Sequence, residues 1–290
     1  MRGADRRVVL GLHRSDHRRQ LLTDALTAGI RALDTASNYH GFAAHRTLAR
    51  EAADLLDEFT ISTKVGFVRQ DGGVEHCLDP ARLRDAVTAS VDELGRPPGT
   101  ILLHSPERSL RAGDPLAAFA RLRAACAVLE DAVAAGLCAG WGISSWDSAP
   151  LTRALDAGRQ QQEALPRPDV LMVRAGLAVT GDALAASERT AALLAVPSEG
   201  RWGMSPFAGN AGDPTWRRIS PGIFLRPGQQ VGALPAAFRL AFELPRVTAV
   251  AVGSADPRHL RDLAAAVDLD VDAGQVARYR GLLVTRRVQA

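Results

Sequence analysis

The sequence predicts an α/β fold, a (β/α)8 barrel (TIM barrel) that residues 1–290 form as a single domain. Short β-prone runs alternate with amphipathic helical runs eight times, which is the pattern of strand–helix units around a parallel sheet. No G-x-G-x-x-G motif follows the first strand, where an open doubly wound sheet that binds a dinucleotide would carry one. The length of 290 residues and the apolar fraction of 47% also suit one barrel with one core.

The elements follow in order along the chain. The predicted strands, rich in Val, Ile, Leu and Thr, cover residues 8–12, 31–34, 60–64, 100–104, 138–144, 170–174, 202–205 and 247–253. The helices between them are predicted at 18–28, 46–56, 80–94, 115–135, 148–157, 181–194, 234–244 and 256–267. Residues 206–231 are rich in Gly and Pro, and we expect them to form a loop over the mouth of the barrel.

The predicted helix ends carry residues that commonly cap helices. Asp79 and Asp256 each precede a proline at the first helical position, and Ser148 opens another helix. Their side chains are expected to accept hydrogen bonds from the first turn. Gly29 and Gly95 follow helices, where a glycine readily adopts the left-handed conformation that ends a helix.

Composition narrows the classes of function. The net charge of +3 comes from arginines interspersed with acidic residues, so no nucleic-acid partner is expected. No stretch of about 18 apolar residues and no signal-like run occurs, which predicts a soluble, cytoplasmic protein without a membrane segment, either a monomer or a homo-oligomer. The cysteines, Cys77, Cys126 and Cys138, are odd in number and lack C-x-x-C spacing, so neither a disulfide nor a metal site is predicted.

Polar residues stand at the ends of three consecutive predicted strands. Asp34 ends the second strand, Lys64 the third and His104 the fourth, and Tyr39 lies on the loop that follows Asp34. Strand carboxyl ends meet on the face of a barrel that carries active sites. Lys64 is the only lysine among 35 basic residues, which suggests a role for a compact ammonium with a tunable pKa.

These four side chains form a candidate catalytic set. We expect the Asp34 carboxylate to pair with Lys64, and the ammonium to lower the pKa of the Tyr39 phenol from about 10 toward the working range. Such a phenol can protonate a carbonyl oxygen as hydride reaches the carbon, while His104 donates a second hydrogen bond that orients the carbonyl. Each residue alone could be structural, as a helix cap, an ion pair or a packing residue, but the joint occurrence favours catalysis.

At these residues the chain resembles the aldo-keto reductases, over nearly its whole length and most closely their bacterial branch of sugar and pyridoxal dehydrogenases. The resemblance rests on six segments. They are GIRALDTASNYHG (29–41), STKVG (62–66), ILLHSPE (101–107), WGISS (141–145), MSPFAG (204–209) and VAVGSADPRHLRDLAAA (250–266). The first three carry the Asp, Tyr, Lys and His of the family's catalytic set.

The last three segments imply a nicotinamide cofactor. By resemblance, Ser144 and Ser145 hold the carboxamide, and the loop with Ser205, Pro206, Phe207 and Gly209 wraps the pyrophosphate. Gly253, Ser254, Arg258, His259 and Asp262 belong to the segment that binds the adenosine phosphate. The chain itself supports this last site, because Gly253-Ser254 leading into a helix presents backbone N–H groups to a phosphate. Arg258 and His259 could meet a 2'-phosphate, which favours NADP (NADPH) over NAD.

The chain departs from the family pattern where the cofactor is held. Met172 stands for a glutamine that grips the nicotinamide amide, Met204 for a stacking aromatic, and Leu263 for an asparagine near the adenine. Ala175-Gly176 replaces a Tyr-Asn pair, and Ala44-His45 replaces a Ser-Glu pair. These changes leave the acid–base set intact and reduce the expected contacts with the cofactor.

The leading hypothesis is therefore an NAD(P)H-dependent oxidoreductase that reduces an aldehyde or ketone of a small or medium metabolite, or oxidises the corresponding alcohol, with Tyr39 as general acid or base. An alternative is a redox-neutral isomerase or lyase on the same barrel with a degenerate nicotinamide site. A regulatory barrel that only senses a cofactor has no need of the complete catalytic set. A metal-dependent hydrolase would want strand-end ligands such as H-x-H, whereas His40 and His45 lie on a loop.

The loops after the strands would supply the walls of a substrate pocket. Candidate lining residues are Phe42, Phe67, Trp146, Phe207 and Trp216, with Arg108 or Arg111 to meet an anionic group. Each of these could instead be ordinary loop packing.

Overall fold

The computed structural model describes residues 6–15 and 17–288. Its strands are β1 (Arg7–Gly11), β2 (Ala32–Asp34), β3 (Thr60–Val65), β4 (Phe67–Gln70), β5 (Gly73–His76), β6 (Thr100–His104), β7 (Gly140–Ser145), β8 (Val170–Arg174), β9 (Arg201–Met204) and β10 (Ala249–Val252). Its helices are α1 (Arg19–Thr27), α2 (Ala44–Ala52), α3 (Pro80–Leu94), α4 (Glu107–Leu110), α5 (Pro115–Ala134), α6 (Ala149–Gln160), α7 (Gly181–Leu193), α8 (Thr215–Arg218), α9 (Ala233–Leu240), α10 (Pro257–Ala266) and α11 (Ala273–Val288). Short 3-10 helices lie at Tyr39–Phe42, Ala53–Glu58, Ser198–Gly200 and Pro221–Phe224.

Eight of the strands close into a parallel barrel in the order β1, β2, β3, β6, β7, β8, β9, β10 and back to β1. This confirms the predicted (β/α)8 barrel. Side chains that point into the barrel, such as Val9, Leu102, Met172 and Trp202, pack together in one apolar cluster. The alternate positions of the strands pack outward under the helices in two larger clusters. The apolar interior thus supports the polar residues at the carboxyl ends of the strands.

Strand pairing aligns those polar residues. Asp34 on β2 is paired with Ser62 on β3, and two residues further along β3 lies Lys64, paired with Leu102 on β6. His104 ends β6 and is paired with Ser144 on β7. Residues two apart on a strand share a face, so the pairing brings these side chains to one rim of the barrel.

The capping predictions are confirmed in part. The Asp79 carboxylate accepts a hydrogen bond from the backbone N–H of Arg82 at 3.0 Å, and Asp256 accepts one from Arg258 at 2.8 Å. Gly95 follows α3 with a φ of 69°, in the left-handed region. The prediction for Ser148 was wrong, because its backbone is already helical and its side chain makes no cap hydrogen bond.

Several regular elements were not predicted, among them the short helix α4. Strands β4 and β5 form an antiparallel hairpin directly after β3, outside the barrel. Helix α11 covers residues that carried no assignment. The segment 206–231, predicted as a loop, contains α8 and a 3-10 helix. Each of these elements is short or lies outside the repeated strand–helix unit, so the periodic pattern did not reveal it.

None of the helices in the described ranges is long and apolar enough to cross a membrane. The predicted single domain of residues 1–290 includes positions 1–5, 16, 289 and 290, which lie outside the described residues, and it stays a prediction.

Candidate active site

A buried ion pair lies at the centre of the candidate site. Lys64 Nζ donates to Asp34 Oδ2 at 2.5 Å and to the carbonyl oxygen of Thr35 at 2.8 Å, and only 1% of the lysine surface is exposed. Ser62 Oγ donates to the second oxygen of Asp34 at 3.0 Å. Burial acts to lower the pKa of Lys64, but attraction to Asp34 and Tyr39 outweighs it, so the pKa is raised. The ammonium is therefore charged at neutral pH and fixed in position.

Tyr39 lies on the 3-10 helix that follows β2, and its hydroxyl reaches the ion pair. Lys64 Nζ is 3.4 Å from Tyr39 Oη. The phenol ring is flanked by two imidazoles in edge-on contact, His13 at 4.8 Å and His104 at 5.9 Å between ring centroids. The structure thus brings Asp34, Tyr39, Lys64 and His104 together, as the resemblance implied.

The pKa of the phenol differs from the sequence prediction. Burial raises the pKa of Tyr39, the Lys64 ammonium lowers it, Asp34 raises it again, and the net effect is an increase. The predicted effect of Lys64 is present but smaller than that of burial, so the expectation of a lowered pKa was wrong for this structure. Tyr39 is consequently a neutral phenol at neutral pH, which is the protonation state of a proton donor.

His104 is also uncharged at neutral pH. Burial lowers its pKa well below the ordinary value, and repulsion from Lys64 and His76 adds to the effect. Its Nδ1 atom is buried and has no hydrogen-bond partner among the described residues. His76 supports the backbone here, because its ring nitrogens lie 2.8 Å from the carbonyl oxygen of His104 and 2.7 Å from Ser109 Oγ. A neutral imidazole can donate one hydrogen bond.

Sequence reasoning missed two residues next to this set. His13 follows the end of β1 and contacts Tyr39, so the strand-end rule that found the other residues could have found it. His76 lies on the unpredicted hairpin, and no signal in the sequence connected it with His104. Of the proposed pocket residues, Phe67 contacts His104 with ring centroids 4.8 Å apart, and Arg108 lies over Phe67.

The other proposed pocket residues lie in different environments. Phe42 is partly buried beneath the guanidinium of Arg69. Phe207 and Trp216 are buried in the core and pack on each other with ring centroids 5.6 Å apart, so they are packing residues. Trp146 is 46% exposed and lies under the guanidinium of Arg174. Arg111 forms an exposed ion pair with Asp147.

Ser144 and Ser145 end β7 beside His104. Ser144 is buried, and its Oγ is 3.9 Å from the thioether sulfur of Met204, a weak contact. Ser145 Oγ donates to the Glu107 carboxylate at 3.1 Å, and the same carboxylate accepts the backbone N–H of Trp146 at 2.9 Å. Ser144 is therefore the freer donor of the two for a polar ligand.

The loop after β9 contains Ser205, Pro206, Phe207 and Gly209. Ser205 has a φ of 57°, and its buried Oγ has no hydrogen-bond partner among residues 6–15 and 17–288. The loop is anchored from the opposite side, because Arg14 Nη1 donates to the carbonyl oxygen of Gly209 at 2.9 Å. Phe207 fixes it to the core.

Gly176 explains why this loop can pack closely on β8. A Cβ atom at Gly176 would lie 2.7 Å from the carbonyl oxygen of Pro206, and the φ of Gly176 is 107°. Both the space and the backbone conformation therefore favour glycine. The Ala175-Gly176 pair, which departs from the family pattern, therefore allows the loop that carries Ser205 to pack against the end of β8.

The segment after β10 is partly occupied by its own contacts. Gly253 is exposed, and a Cβ atom there would lie 3.1 Å from the carbonyl oxygen of Gly11. Ser254 Oγ accepts from the backbone of Asp256 at 3.2 Å. Arg258 Nη2 is 2.8 Å from Asp256 Oδ2, so the predicted phosphate ligand is already paired with the residue that caps α10.

His259 and Asp262 lie further along α10. His259 Nε2 is 4.0 Å from the same oxygen of Asp256, and both residues are exposed. This end of the predicted cofactor segment is therefore open to solvent, and the Asp256 carboxylate lies close to both Arg258 and His259.

The departures at the nicotinamide end lie in two different environments. Met172 is fully buried inside the barrel among apolar side chains, one strand from Ser144. Met204 is partly buried at the end of β9 and faces Ser144. Neither thioether can replace the hydrogen bonds of an amide side chain, because sulfur is only a weak acceptor.

Similarity to known proteins agrees with this geometry. The aldo/keto reductase family model matches residues 12–174, more than half of the chain, so this protein belongs to the aldo/keto reductase family. No curated protein matches the chain in sequence.

Solved structures show the same fold. A protein assigned to the aldo-keto reductases from Pseudomonas aeruginosa is 23% identical, with 90% of each chain covered and a TM-score of 0.61. An aldo-keto reductase from Bacillus halodurans in its holo form is 16% identical over 95% of this chain and 91% of that one, with a TM-score of 0.68. An aldo-keto reductase from Klebsiella pneumoniae in complex with NADPH is 18% identical over 95% of this chain and 90% of that one, with a TM-score of 0.66. At these identities the likeness is one of fold.

Proposed function

We propose that this protein is an NADPH-dependent carbonyl reductase that acts on an aldehyde or ketone of a small or medium metabolite, or on the corresponding alcohol. The observation that carries the proposal is the buried chain from Asp34 through Lys64 to the Tyr39 hydroxyl, with His104 beside the same phenol. Membership of the aldo/keto reductase family supports the reaction class.

The residues present fit a nicotinamide cofactor at its reactive end. The buried hydroxyl of Ser205 lacks a partner among the described residues, and Ser144 Oγ has only a weak contact to sulfur. Two such groups beside the catalytic set are suited to an amide and a phosphate oxygen, since buried polar atoms cost free energy when unpaired. Ser145 and the backbone of Pro206, Phe207 and Gly209 would form the remaining wall, while the Phe207 ring stays packed in the core. When bound, the cofactor supplies a hydride to the carbonyl carbon.

Tyr39 would then act as the proton donor. Its phenol is neutral at neutral pH because burial raises its pKa, so it carries the proton that the forming alkoxide needs. Loss of that proton leaves a phenolate next to the Lys64 ammonium, whose positive charge stabilises it. Asp34 keeps Lys64 in place and offsets its charge before the transfer. Tyr39 regains its proton from solvent after the product leaves.

His104 would orient the carbonyl without competing as an acid. Since its pKa is well below the ordinary value, the imidazole is neutral and its N–H can only donate a hydrogen bond. Two donors, Tyr39 and His104, would then share one carbonyl oxygen, as in an oxyanion-stabilising site.

The choice of NADPH rests on relatives and on charge. One aldo-keto reductase of the same fold was solved with NADPH. In this chain Gly253, Ser254, Arg258, His259 and Asp262 would bind the adenosine end. The Arg258 guanidinium would have to leave or share Asp256 to meet a 2'-phosphate, so we expect the preference for NADPH to be modest.

The experiment that tests the proposal is a titration of the purified protein with NADPH and with NADH, followed by nicotinamide fluorescence and thermal stability together. We expect binding of NADPH in the micromolar range and consumption of NADPH with a panel of aldehydes and ketones. Absence of binding of either nucleotide would contradict the proposal.

A redox-neutral enzyme is the second candidate. The observation that favours it is the fully buried Met172 in place of an amide that grips the nicotinamide. In that case the Asp34, Lys64 and Tyr39 set would move a proton within an isomerase or lyase reaction. Turnover of a substrate by nucleotide-free protein, with no change at 340 nm when NADPH is added, would favour this candidate.

A further inference from the structure

A cavity of about 570 Å³ lies away from the candidate active site, and its lining is strongly basic. We name it the basal cavity. Its charged lining consists of five arginines and two acidic residues, which leaves a surplus of three positive charges. The arginines are Arg6, Arg226, Arg239, Arg246 and Arg280, and the acids are Glu243 and Asp270. No residue of the predicted catalytic or cofactor set lines it.

The basal cavity lies at the end of the barrel opposite the active site. Arg6 directly precedes β1, and Arg246 comes three residues before β10. The amino ends of parallel strands meet at the face of the barrel opposite their carboxyl ends, where Asp34 and His104 lie. A ligand here would therefore not overlap the substrate or the cofactor.

Three of the arginines contact Glu243, two of them through its carboxylate and one through its backbone carbonyl oxygen. Arg239, only 2% exposed, donates to Glu243 Oε1 at 2.9 Å and to the carbonyl oxygen of Leu269 at 2.8 Å. Arg6 Nη2 is 3.7 Å from the same oxygen of Glu243, and Arg280 Nη1 donates to the Glu243 carbonyl at 3.0 Å. Burial lowers the pKa of Arg239, the Glu243 hydrogen bond opposes this, and repulsion from Arg6 adds to the lowering. Arg280 also pairs with Glu188, which does not line the cavity, so the single Glu243 carboxylate is shared between Arg6 and Arg239.

The remaining two arginines have no ion-pair partner among residues 6–15 and 17–288. These are Arg226 and Arg246, and both are exposed. Asp270 also lines the cavity, but only its backbone is engaged in hydrogen bonds, with Arg226 and Gln229. Like charges concentrated in one concavity repel each other, so the arrangement is favourable only when an anion offsets them.

The amino-terminal end of α11 is not by itself the anion-binding group of the basal cavity. Ala273, the first residue of α11, lines it, but Asp272 Oδ1 already accepts the N–H of Gln275 at 3.0 Å. The helix terminus is therefore capped by the chain's own carboxylate, and the guanidiniums are the groups available to a ligand.

We propose that the basal cavity binds a small soluble anion with two phosphate groups, such as a diphosphate or bisphosphate metabolite. Planar guanidiniums bind phosphate oxygens in a bidentate manner, and five guanidiniums around one cavity offer donors for two phosphate groups. The cavity volume lies within the range of small-molecule sites, roughly 300–1,000 Å³. The site is independent of the proposed reductase activity.

The test is calorimetric titration of the whole protein with inorganic pyrophosphate, inorganic phosphate and sulfate at equal ionic strength. The probe variant is Arg226→Gln/Arg246→Gln. We expect pyrophosphate to bind more tightly than either other anion, and its affinity to fall by about tenfold or more in the double variant, since charge-assisted hydrogen bonds are lost. The thermal stability of the double variant without pyrophosphate should not fall below that of the wild type, because the substitutions relieve repulsion and remove no ion pair of the described residues.

Two controls define the location. Arg153→Gln removes an exposed arginine of α6 that does not line the cavity, and its pyrophosphate affinity should equal that of the wild type. Arg258→Gln changes the proposed cofactor end of the mouth. Loss of pyrophosphate binding in Arg258→Gln but not in the double variant would overturn the basal site in favour of the mouth. Equal affinity for sulfate and pyrophosphate, or equal weakening by Arg153→Gln, would overturn it as a general effect of charge.

Discussion

Lys64 Nζ lies 2.5 Å from Asp34 Oδ2 and 3.4 Å from Tyr39 Oη, so the ammonium makes its short hydrogen bond to the carboxylate and its long one to the phenol. The ammonium therefore does not make the Tyr39 phenol more acidic overall in the resting structure, where the pKa of the phenol stays raised. A positive charge held at this distance stabilises the phenolate only once the proton has moved, and such preorganised charge is how a site favours a transition state over its ground state.

The ion pair itself can be tested through stability. Asp34→Asn removes the charge that compensates the buried Lys64, and we expect a loss of about 3–5 kcal/mol in the free energy of unfolding, because an unpaired charge is left in the interior. Urea denaturation measures this loss. The double variant Asp34→Asn/Lys64→Met should be more stable than Asp34→Asn alone, since it leaves no buried charge. A double variant that loses the sum of both single effects would contradict the interpretation.

The pKa of Lys64 can be measured directly, because the chain contains one lysine. Labelling with ¹⁵N-lysine gives a single side-chain signal, which we expect to titrate above the ordinary value of 10.5. A pKa raised by folding contributes stability that is present below the unfolded value and lost as the pH rises through the folded value. In Asp34→Asn the attraction that raises the pKa is absent while burial remains, so the signal should titrate at lower pH. A signal unmoved by this substitution would show that the carboxylate does not set the pKa.

Tyr39→Phe tests the proton donor. We expect carbonyl reduction to fall by about 10²- to 10⁴-fold, the usual range for loss of a general acid, while NADPH still binds. Steady-state rates and fluorescence titration give the two readouts. Tyr279→Phe is the matched control, because Tyr279 is the other tyrosine and its hydroxyl contacts the carbonyl oxygen of Leu177 at 3.2 Å, outside the catalytic set. Full activity in Tyr39→Phe would remove the phenol from the mechanism.

The strand-end residues could be predicted from the sequence because a parallel barrel converts position along a strand into position in space. Asp34, Lys64 and His104 end successive strands, and the closed barrel then leaves them one rim on which to meet. The same rule applied to β1 would have found His13, which contacts Tyr39.

The pKa shifts, the short irregular elements and the side-chain pairing at the surface could not be predicted in this way. The net pKa shift of Tyr39 depends on how completely its ring is buried, which only the packed loop after β2 determines. The hairpin that carries His76 has four residues in each strand, too few for a periodic pattern to stand out. Pairing of Arg258 with Asp256 was also invisible, because the sequence does not show whether the long Arg258 side chain turns toward the neighbouring carboxylate or toward a phosphate.

That pairing leads to a prediction about cofactor choice. Asp256→Asn keeps a side-chain oxygen for the cap and removes the charge that competes for Arg258, so we expect the preference for NADPH over NADH to rise a few-fold. Arg258→Gln should lower the same preference. Dissociation constants for both nucleotides measure it. If both variants keep the wild-type ratio, Arg258 is a surface residue and not a 2'-phosphate ligand.

A buried histidine outside the catalytic set should make the fold sensitive to acid. His45 lies on α2, with Nε2 2.7 Å from Thr63 Oγ1 on β3, and burial lowers its pKa to about 4, with further repulsion from His17, Arg46 and Lys64. A lowered pKa means that the stability is fully present above the unfolded value of 6.5 and is lost as the pH falls toward 4. The loss from this group amounts to about 3 kcal/mol.

The test is the pH dependence of unfolding in His45→Gln, whose amide can still reach Thr63 but does not gain a charge. We expect the variant to lose less stability than the wild type between pH 7 and pH 4, measured by urea denaturation at each pH. His259→Gln is the matched control for loss of an imidazole at an exposed position, and the difference between the two variants gives the contribution of the buried His45. Parallel curves for wild type and His45→Gln would mean that the charge on His45 is accommodated, for which Glu93, with Oε2 at 3.9 Å from Nδ1, is the nearest anion.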